Sequence, residues 1–406
     1  MTDEYVELQR SEALADEVDE SIEVEDDRID PAQIGEIVTY TLDWSVESLL
    51  DRIGKTLDIN PSFQRRDAWT VDKKSLYIES LMLGLPVPQI VLAEDLQAKG
   101  RFIVLDGKQR LLTMKQFAAP DSNFKSFRLR RLAFLHNIAH NMTFSDMQAS
   151  LSAAEYAESL LVQPIRTIVV RNWQNPAILF NIFVRLNQGS LSLSPQELRQ
   201  ALYPSEFTSW IDSRSADSDA IHAARGIKGQ DFRMRDAEML LRFIAFRENI
   251  ENYAGNLRAF LDSACSAGQA AWAQGGATHF EDLAAGLEAA IHRTIDAFGQ
   301  DDAFKRFEGD SYNRRFNVAV YDLMTLVLSD PKLTDRLFES HRERIKGAYE
   351  DLCRTDASFQ QSLQVSTKTI PATAGRLKTF GAAIEAIIGE PLEITARADK
   401  VLTRGD

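Results

Sequence analysis

Two apolar runs of different character, Phe102–Leu105 and Leu111–Met114, flank five consecutive residues that are polar or glycine: Asp106-Gly107-Lys108-Gln109-Arg110. The first run is short, rich in branched residues and strand-like. The second continues through "GKQRLLTMKQFA" with helical character. A chain written this way must turn from a strand into a helix at Asp106–Gly107, so at least part of it is mixed α/β. The turn is also the point of chemical interest. A helix N-terminus presents unpaired N–H groups and a partial positive charge, a ready site for an anion. Gly107 would let backbone approach a phosphate, while Lys108 and Arg110 would add a point charge and a bidentate fork. Asp106 could hold a magnesium ion or accept a proton, and Gln109 could orient water or a base edge. The plainer alternative is that Asp106 caps the helix and that Gln109 and Arg110 lie on a solvated face.

The surrounding sequence extends the α/β pattern. "WSVESLLDRIGK" predicts a helix capped by Ser45, and "DKKSLYIESLMLG" a second one stopped by Gly84 and Pro86. "PQIVLAE" and "RFIVLD" predict a hairpin through "DLQAKG", and "PIRTIVVRN" a further strand. "NPAILFNIFVRLNQG" is apolar nearly all round and predicts a buried helix stopped at Asn187 and Gly189, with Arg185 an unexpected cation on it. "SLSPQELRQALY" starts another helix, with Ser194 as cap, Pro195 in the first position and Glu197 closing a capping box. Beyond about residue 205 strand signals vanish. "RMRDAEMLLRFIAFREN", "FEDLAAGLEAAIHRTIDAF", "NRRFNVAVYDLMTLVLS" and "AGRLKTFGAAIEAIIG" all suit helices. The expected organisation is an acidic disordered tail over 1–38, a mixed α/β domain over 39–204, a helical domain over 205–390 and a C-terminal tail over 391–406.

Charge is unevenly placed. The whole chain carries −14, of which residues 1–30, with 13 acids against Arg10 and Arg28, carry −11. The rest is close to neutral, which excludes a strongly basic nucleic-acid binder but allows local basic patches. Two such patches stand out. "NPSFQRRDAW" interleaves Gln64, Arg65 and Arg66 with Phe63 and Trp69, a pattern suited to phosphate and base contacts. "KSFRLRRLAF" alternates Lys125, Arg128, Arg130 and Arg131 with apolar residues, as a solvated strand face or a surface touching a nucleic-acid backbone. No run of about 18 apolar residues predicts a membrane span. The opening "MTDEYVELQR" lacks the blocks of a signal peptide, and Cys265 and Cys353 form no disulfide framework or metal spacing, so a cytoplasmic protein is expected.

Three lookalikes do not hold. Gly54-Lys55-Thr56 resembles the tail of a P-loop, but the earlier glycine would fall at Leu49 and the stretch follows a helix. His136 and His140 have the spacing of a zinc protease, but the residue after His136 is Asn137, not the catalytic glutamate. Glu238 and Arg242 are a routine helical i,i+4 pair.

"INPSFQRRDAW", "IESLMLGLPVPQIVL", "FIVLDGKQRLLT" and "IFVRLNQGSLSLSPQELRQAL" together resemble, in order, the N-terminal domain of GmrSD-type modification-dependent restriction enzymes, of the ParB/sulfiredoxin-like superfamily. The resemblance covers about residues 43–204, and "RMRDAEMLLRFIAF" and "NRRFNVAVYD" resemble the helical region that often follows. It implies an α+β chain: a ParB/sulfiredoxin-like mixed α/β domain, then an all-helical one. It also implies a nucleotide-binding protein, with hydrolysis of a nucleoside triphosphate, aided by magnesium, in a restriction or anti-phage module. Asp106, Gln109 and Arg110 carry over as the catalytic set. Gln64, Arg65, Gly107, Lys108, Arg185 and Asn187 carry over as nucleotide-binding residues, Gln64-Arg65 matching the earlier Gln-Arg pair and Arg185 and Asn187 the family's Arg-Leu-Asn. Lys108 stands where the family more often has glutamine. The HNH-like nuclease domain of full GmrSD-type enzymes has no counterpart setting around His222, His279, His292 or His341, so that activity is not expected here. A separate nuclease subunit, the nucleotide and DNA are the expected partners. The alternatives are a non-catalytic nucleotide- or DNA-binding regulatory module, and a DNA nuclease acting through the α/β domain itself.

Overall fold

The apolar runs that predict strands in the first half of the chain assemble into one four-stranded mixed sheet. The computed structural model describes residues 35–57, 59, 67–96, 98–186, 194–364 and 367–404. It divides into two units, residues 1–202 and 203–406. In the first unit the elements are β1 (Val38–Ser45), α1 (Val46–Arg52), α2 (Val71–Met82), β2 (Ile90–Glu94), β3 (Phe102–Asp106) and α3 (Lys108–Ala118). The short helices α4 (His136–Ala139) and α5 (Phe144–Gln148) follow, then α6 (Ala154–Val162), β4 (Pro164–Arg171), α7 (Pro176–Leu186) and α8 (Pro195–Leu202). Strand order is β1-β4-β2-β3, with β2 parallel to β4 and the other pairs antiparallel.

Central strand β2 is buried on both faces, which is why it reads as an unbroken apolar run, whereas β4 alternates between exposed and buried over its first half. Val91, Ala93, Leu105 and Val170 form one face and pack with Trp173, Leu179 and Leu198 from the α7–α8 region. On the other side α1, α2, α3 and α6 pack on one another around Leu49, Ile78, Leu111 and Leu112, all fully buried. The helix starts follow the sequence: the Ser45 side chain accepts from Ser48 N–H, and Thr70 from Lys73 N–H. Ser194 and Glu197 form the capping box of α8, with Glu197 N–H donating to Ser194 Oγ at 3.1 Å and Ser194 N–H to Glu197 Oε2 at 2.7 Å.

Strand β1 is not legible in the sequence: it is an edge strand with an exposed or half-buried pattern, so no apolar run marks it. The segment holding Lys125, Arg128, Arg130 and Arg131 is not a strand. It is an irregular stretch with all four cations exposed and Phe124, Leu129, Leu132 and Leu135 turned inward. Buried Glu79 of α2 fixes its end, accepting from Ala133 N–H at 2.9 Å and from Phe134 and Leu135 N–H at 2.7 Å each. Three backbone donors on one carboxylate exceed what water-exposed loops require. Glu79→Ala should therefore destabilise the chain by about 3 kcal/mol in a chemical denaturation midpoint comparison.

The second unit is helical: α9 (Glu206–Ala216), α10 (Asp219–Arg225), α11 (Arg235–Asn249), α12 (Leu257–Ala273), α13 (Ala277–Phe298), α14 (Val318–Leu328), α15 (Asp335–Thr355), α16 (Ala357–Ser362), α17 (Ile370–Ile388) and α18 (Glu393–Thr403). With the sheet-bearing first unit this makes an α+β chain. Three differences from the sequence reading appear. A hairpin, β5 (Lys305–Glu308) and β6 (Ser311–Phe316), interrupts the helices, so the first residues of "NRRFNVAVYD" are strand and Asn317 caps α14. Residues 393–403, expected as tail, form a helix that buries Ile394, Ala398 and Val401. Arg242 is buried and bound chiefly to Asp322, Nε to Oδ1 at 3.1 Å, and Glu238 stands 3.6 Å away as a secondary partner. No helix among the described residues is long and apolar enough to cross a membrane.

Candidate functional site

The polar knot lies where the sequence places it. Edge strand β3 ends at Asp106, Gly107 turns the chain, and α3 begins at Lys108. The β2–β3 register passes from Leu92↔Val104 to Val91↔Asp106, an irregularity at Leu105 that re-aims the strand end beside the turn. Gly107 has φ +102°, and no side chain caps α3. A methyl at Gly107 would stand 3.0 Å from Ile90 Cγ1 and 3.3 Å from both Nε and Nη2 of Arg110. Left-handed strain and crowding coincide there, so Gly107→Ala should cost about 1–3 kcal/mol, read as a lowered melting temperature.

The Arg110 guanidinium is folded back over the turn. Nη2 donates to Asp106 Oδ2 at 2.5 Å and to the Gln89 carbonyl at 3.1 Å, just before β2. Asp106 is therefore a partner of Arg110 across one helical turn and not a helix cap. Arg110 is not on a solvated face either: its side chain is 11 % exposed and that of Asp106 25 %. Gln109 is half-buried, and its Oε1 and the Arg110 Nε are buried without hydrogen-bond partners.

Lys108 points elsewhere. It is buried and forms an ion pair with Glu197, the residue that closes the α8 capping box. The charge expected to serve a phosphate is committed to holding α3 on α8. Arg185 is exposed near the end of α7. Gln64, Arg65 and Asn187 lie outside the described residues.

The stretch that follows Gln64-Arg65-Arg66 is nonetheless anchored to α2 and to the C-terminal half of α3. Asp67 binds Lys74 of α2 and accepts from Gln116 Nε2 of α3 at 3.1 Å, and Lys74 Nζ donates to Gln116 Oε1 at 2.8 Å. Gln116 lies two helical turns after Gln109, on the same face of α3. Trp69, two residues after Asp67, packs edge-on against Tyr77 of α2 with ring centroids 5.6 Å apart, and Lys73 Nζ lies 4.7 Å from the Trp69 ring centre. Tyr77 is buried and its hydroxyl has no hydrogen-bond partner. Burial pushes its phenol far up from the usual range, opposed by the nearby Arg110 charge. Asp67, Lys74, Gln116 and Tyr77 escape sequence reasoning because tertiary packing sets their partners, Gln116 lying 42 residues from Lys74 and 49 from Asp67. The one available hint is Lys74 and Tyr77, a charge and a phenol on the otherwise core-facing side of an amphipathic helix.

Among the described residues, no group of three or more His, Cys, Asp or Glu side chains is placed to hold a metal ion. Magnesium bound with a nucleotide needs only one or two protein carboxylates plus phosphate oxygens, a mode that Asp106 fits. A strand, a glycine turn and an uncapped helix start, covered by a guanidinium, thus form the candidate site of an α/β domain. Residues 46–204 match the family model described as GmrSD restriction endonuclease, N-terminal domain, and this part of the chain belongs to that domain family. No curated protein and no solved structure matches the chain.

Proposed function

We propose that the β3–Gly107–α3 turn binds the phosphates of a nucleoside triphosphate, and that the chain hydrolyses it as the sensing or gating component of a restriction or anti-phage defence module. The observation that carries this reading is the Arg110 guanidinium lying over the uncapped α3 N-terminus, with its Nε and the neighbouring Gln109 Oε1 buried and unpartnered. Backbone N–H groups of the first turn of α3 and Arg110 take phosphate oxygens. Gln109 Oε1 accepts from the attacking water. Asp106 takes the proton or the magnesium ion. Catalysis on this plan is positioning plus charge stabilisation. Lys108 acts only indirectly, by fixing α3 against α8.

The domain match supports the restriction context, and within it DNA and a separate nuclease subunit are the proposed partners. A second reading has one observation in its favour: Asp106 is already engaged by Arg110, as suits a sensor that binds without turnover. Phosphate release from ATP, GTP, CTP and UTP, each with magnesium, separates the two. Hydrolysis predicts release by the wild type, lost in Asp106→Asn while binding persists. Binding with no release by either protein supports the sensor, and release unchanged in Asp106→Asn contradicts the assignment of Asp106.

A further inference from the structure

We propose that Tyr77 is a ligand-contacting residue of this site, its hydroxyl donating a hydrogen bond to a phosphate oxygen of the bound nucleotide; the inference rests on the nucleotide reading. The phenol is 8 % exposed, sits on α2 where that helix packs against α3, and is held edge-on by Trp69. Its hydroxyl nevertheless makes no hydrogen bond. A buried hydroxyl without a partner is destabilising, and phenylalanine would fill the same volume without that cost. The groups around it identify what is missing. The Arg110 charge acts on the phenol, and the Arg110 Nε is a second buried donor with no acceptor. The phenol oxygen does not accept from that N–H here, and an N–H donated to it would still leave the phenol O–H without an acceptor. An anionic oxygen accepts from both, with the added benefit of the positive charge. Burial keeps the phenol protonated, so it remains a donor at neutral pH. Trp69 links this pair to the stretch after Gln64-Arg65-Arg66 through the chain itself, and Asp67 ties that stretch to α2 and α3.

Tyr77→Phe removes the hydroxyl and nothing else. The test compares the full chain and this variant by thermal melting without ligand, and by calorimetric titration with ATP, GTP, CTP and UTP in the presence of magnesium. The expected result is an unligated melting temperature equal to or above that of the wild type, with affinity for the bound nucleotide weakened about five- to tenfold. A variant that melts several degrees lower, or binds nucleotide as tightly as the wild type, overturns the assignment of Tyr77 and leaves the nucleotide reading intact. A wild type that binds none of the four nucleotides overturns that reading, and this inference with it.

Discussion

Arg110→Ala should weaken binding of the magnesium nucleotide roughly 30- to 150-fold, the loss of about 2–3 kcal/mol that a charge-assisted pair of hydrogen bonds contributes. The effect is large because Arg110 has two tasks. It covers the start of α3, and it neutralises Asp106 at 2.5 Å. Its removal leaves a carboxylate facing the phosphates, so repulsion adds to the lost attraction. Arg110→Lys retains the charge but not the planar fork that reaches both Asp106 and the Gln89 carbonyl, and should fall between the two. Calorimetric titration measures the affinities. A melting curve for each variant shows whether the fold survives, and Arg110→Lys serves as the control in which charge is constant.

The second large effect concerns stability. Lys108→Ala should destabilise the chain by about 3–5 kcal/mol, because it leaves the Glu197 carboxylate buried without its cation. The signature is in the double variant. Lys108→Met combined with Glu197→Leu should recover most of the loss, since a buried ion pair replaced by apolar side chains of similar volume is often neutral. If Lys108 instead served phosphate directly, Lys108→Ala would chiefly reduce nucleotide affinity and leave the denaturation midpoint nearly unchanged. The two roles are therefore separable by comparing denaturant unfolding with titration.

The strand–turn–helix around Asp106 was legible because it is written in local signals: a branched apolar run, a glycine and a change of period. Ser45 and Ser194 were legible for the same reason, since a capping residue acts within three positions of itself. What the sequence withheld is long-range. Lys108 and Glu197 are 89 residues apart, and nothing in either neighbourhood announces the other. The orphaned hydroxyl of Tyr77 is a property of what surrounds it, so a tyrosine in "DKKSLYIESLM" reads as an ordinary core aromatic. Strands β1, β5 and β6 were missed because exposed and short strands need few apolar residues. The basic stretch from Lys125 to Arg131 alternates like a strand, but Glu79 fixes it as a loop through backbone bonds that no side-chain pattern records.

Binding of phosphate at the backbone opening of α3 is the central requirement of the proposed function. Amide hydrogen exchange of the full chain, with and without a magnesium nucleoside triphosphate, addresses that point directly. Protection should increase most in peptides covering Asp106–Arg110 and in the stretch of α2 around Tyr77. Protection confined to other regions, or no change on adding saturating nucleotide, would contradict it.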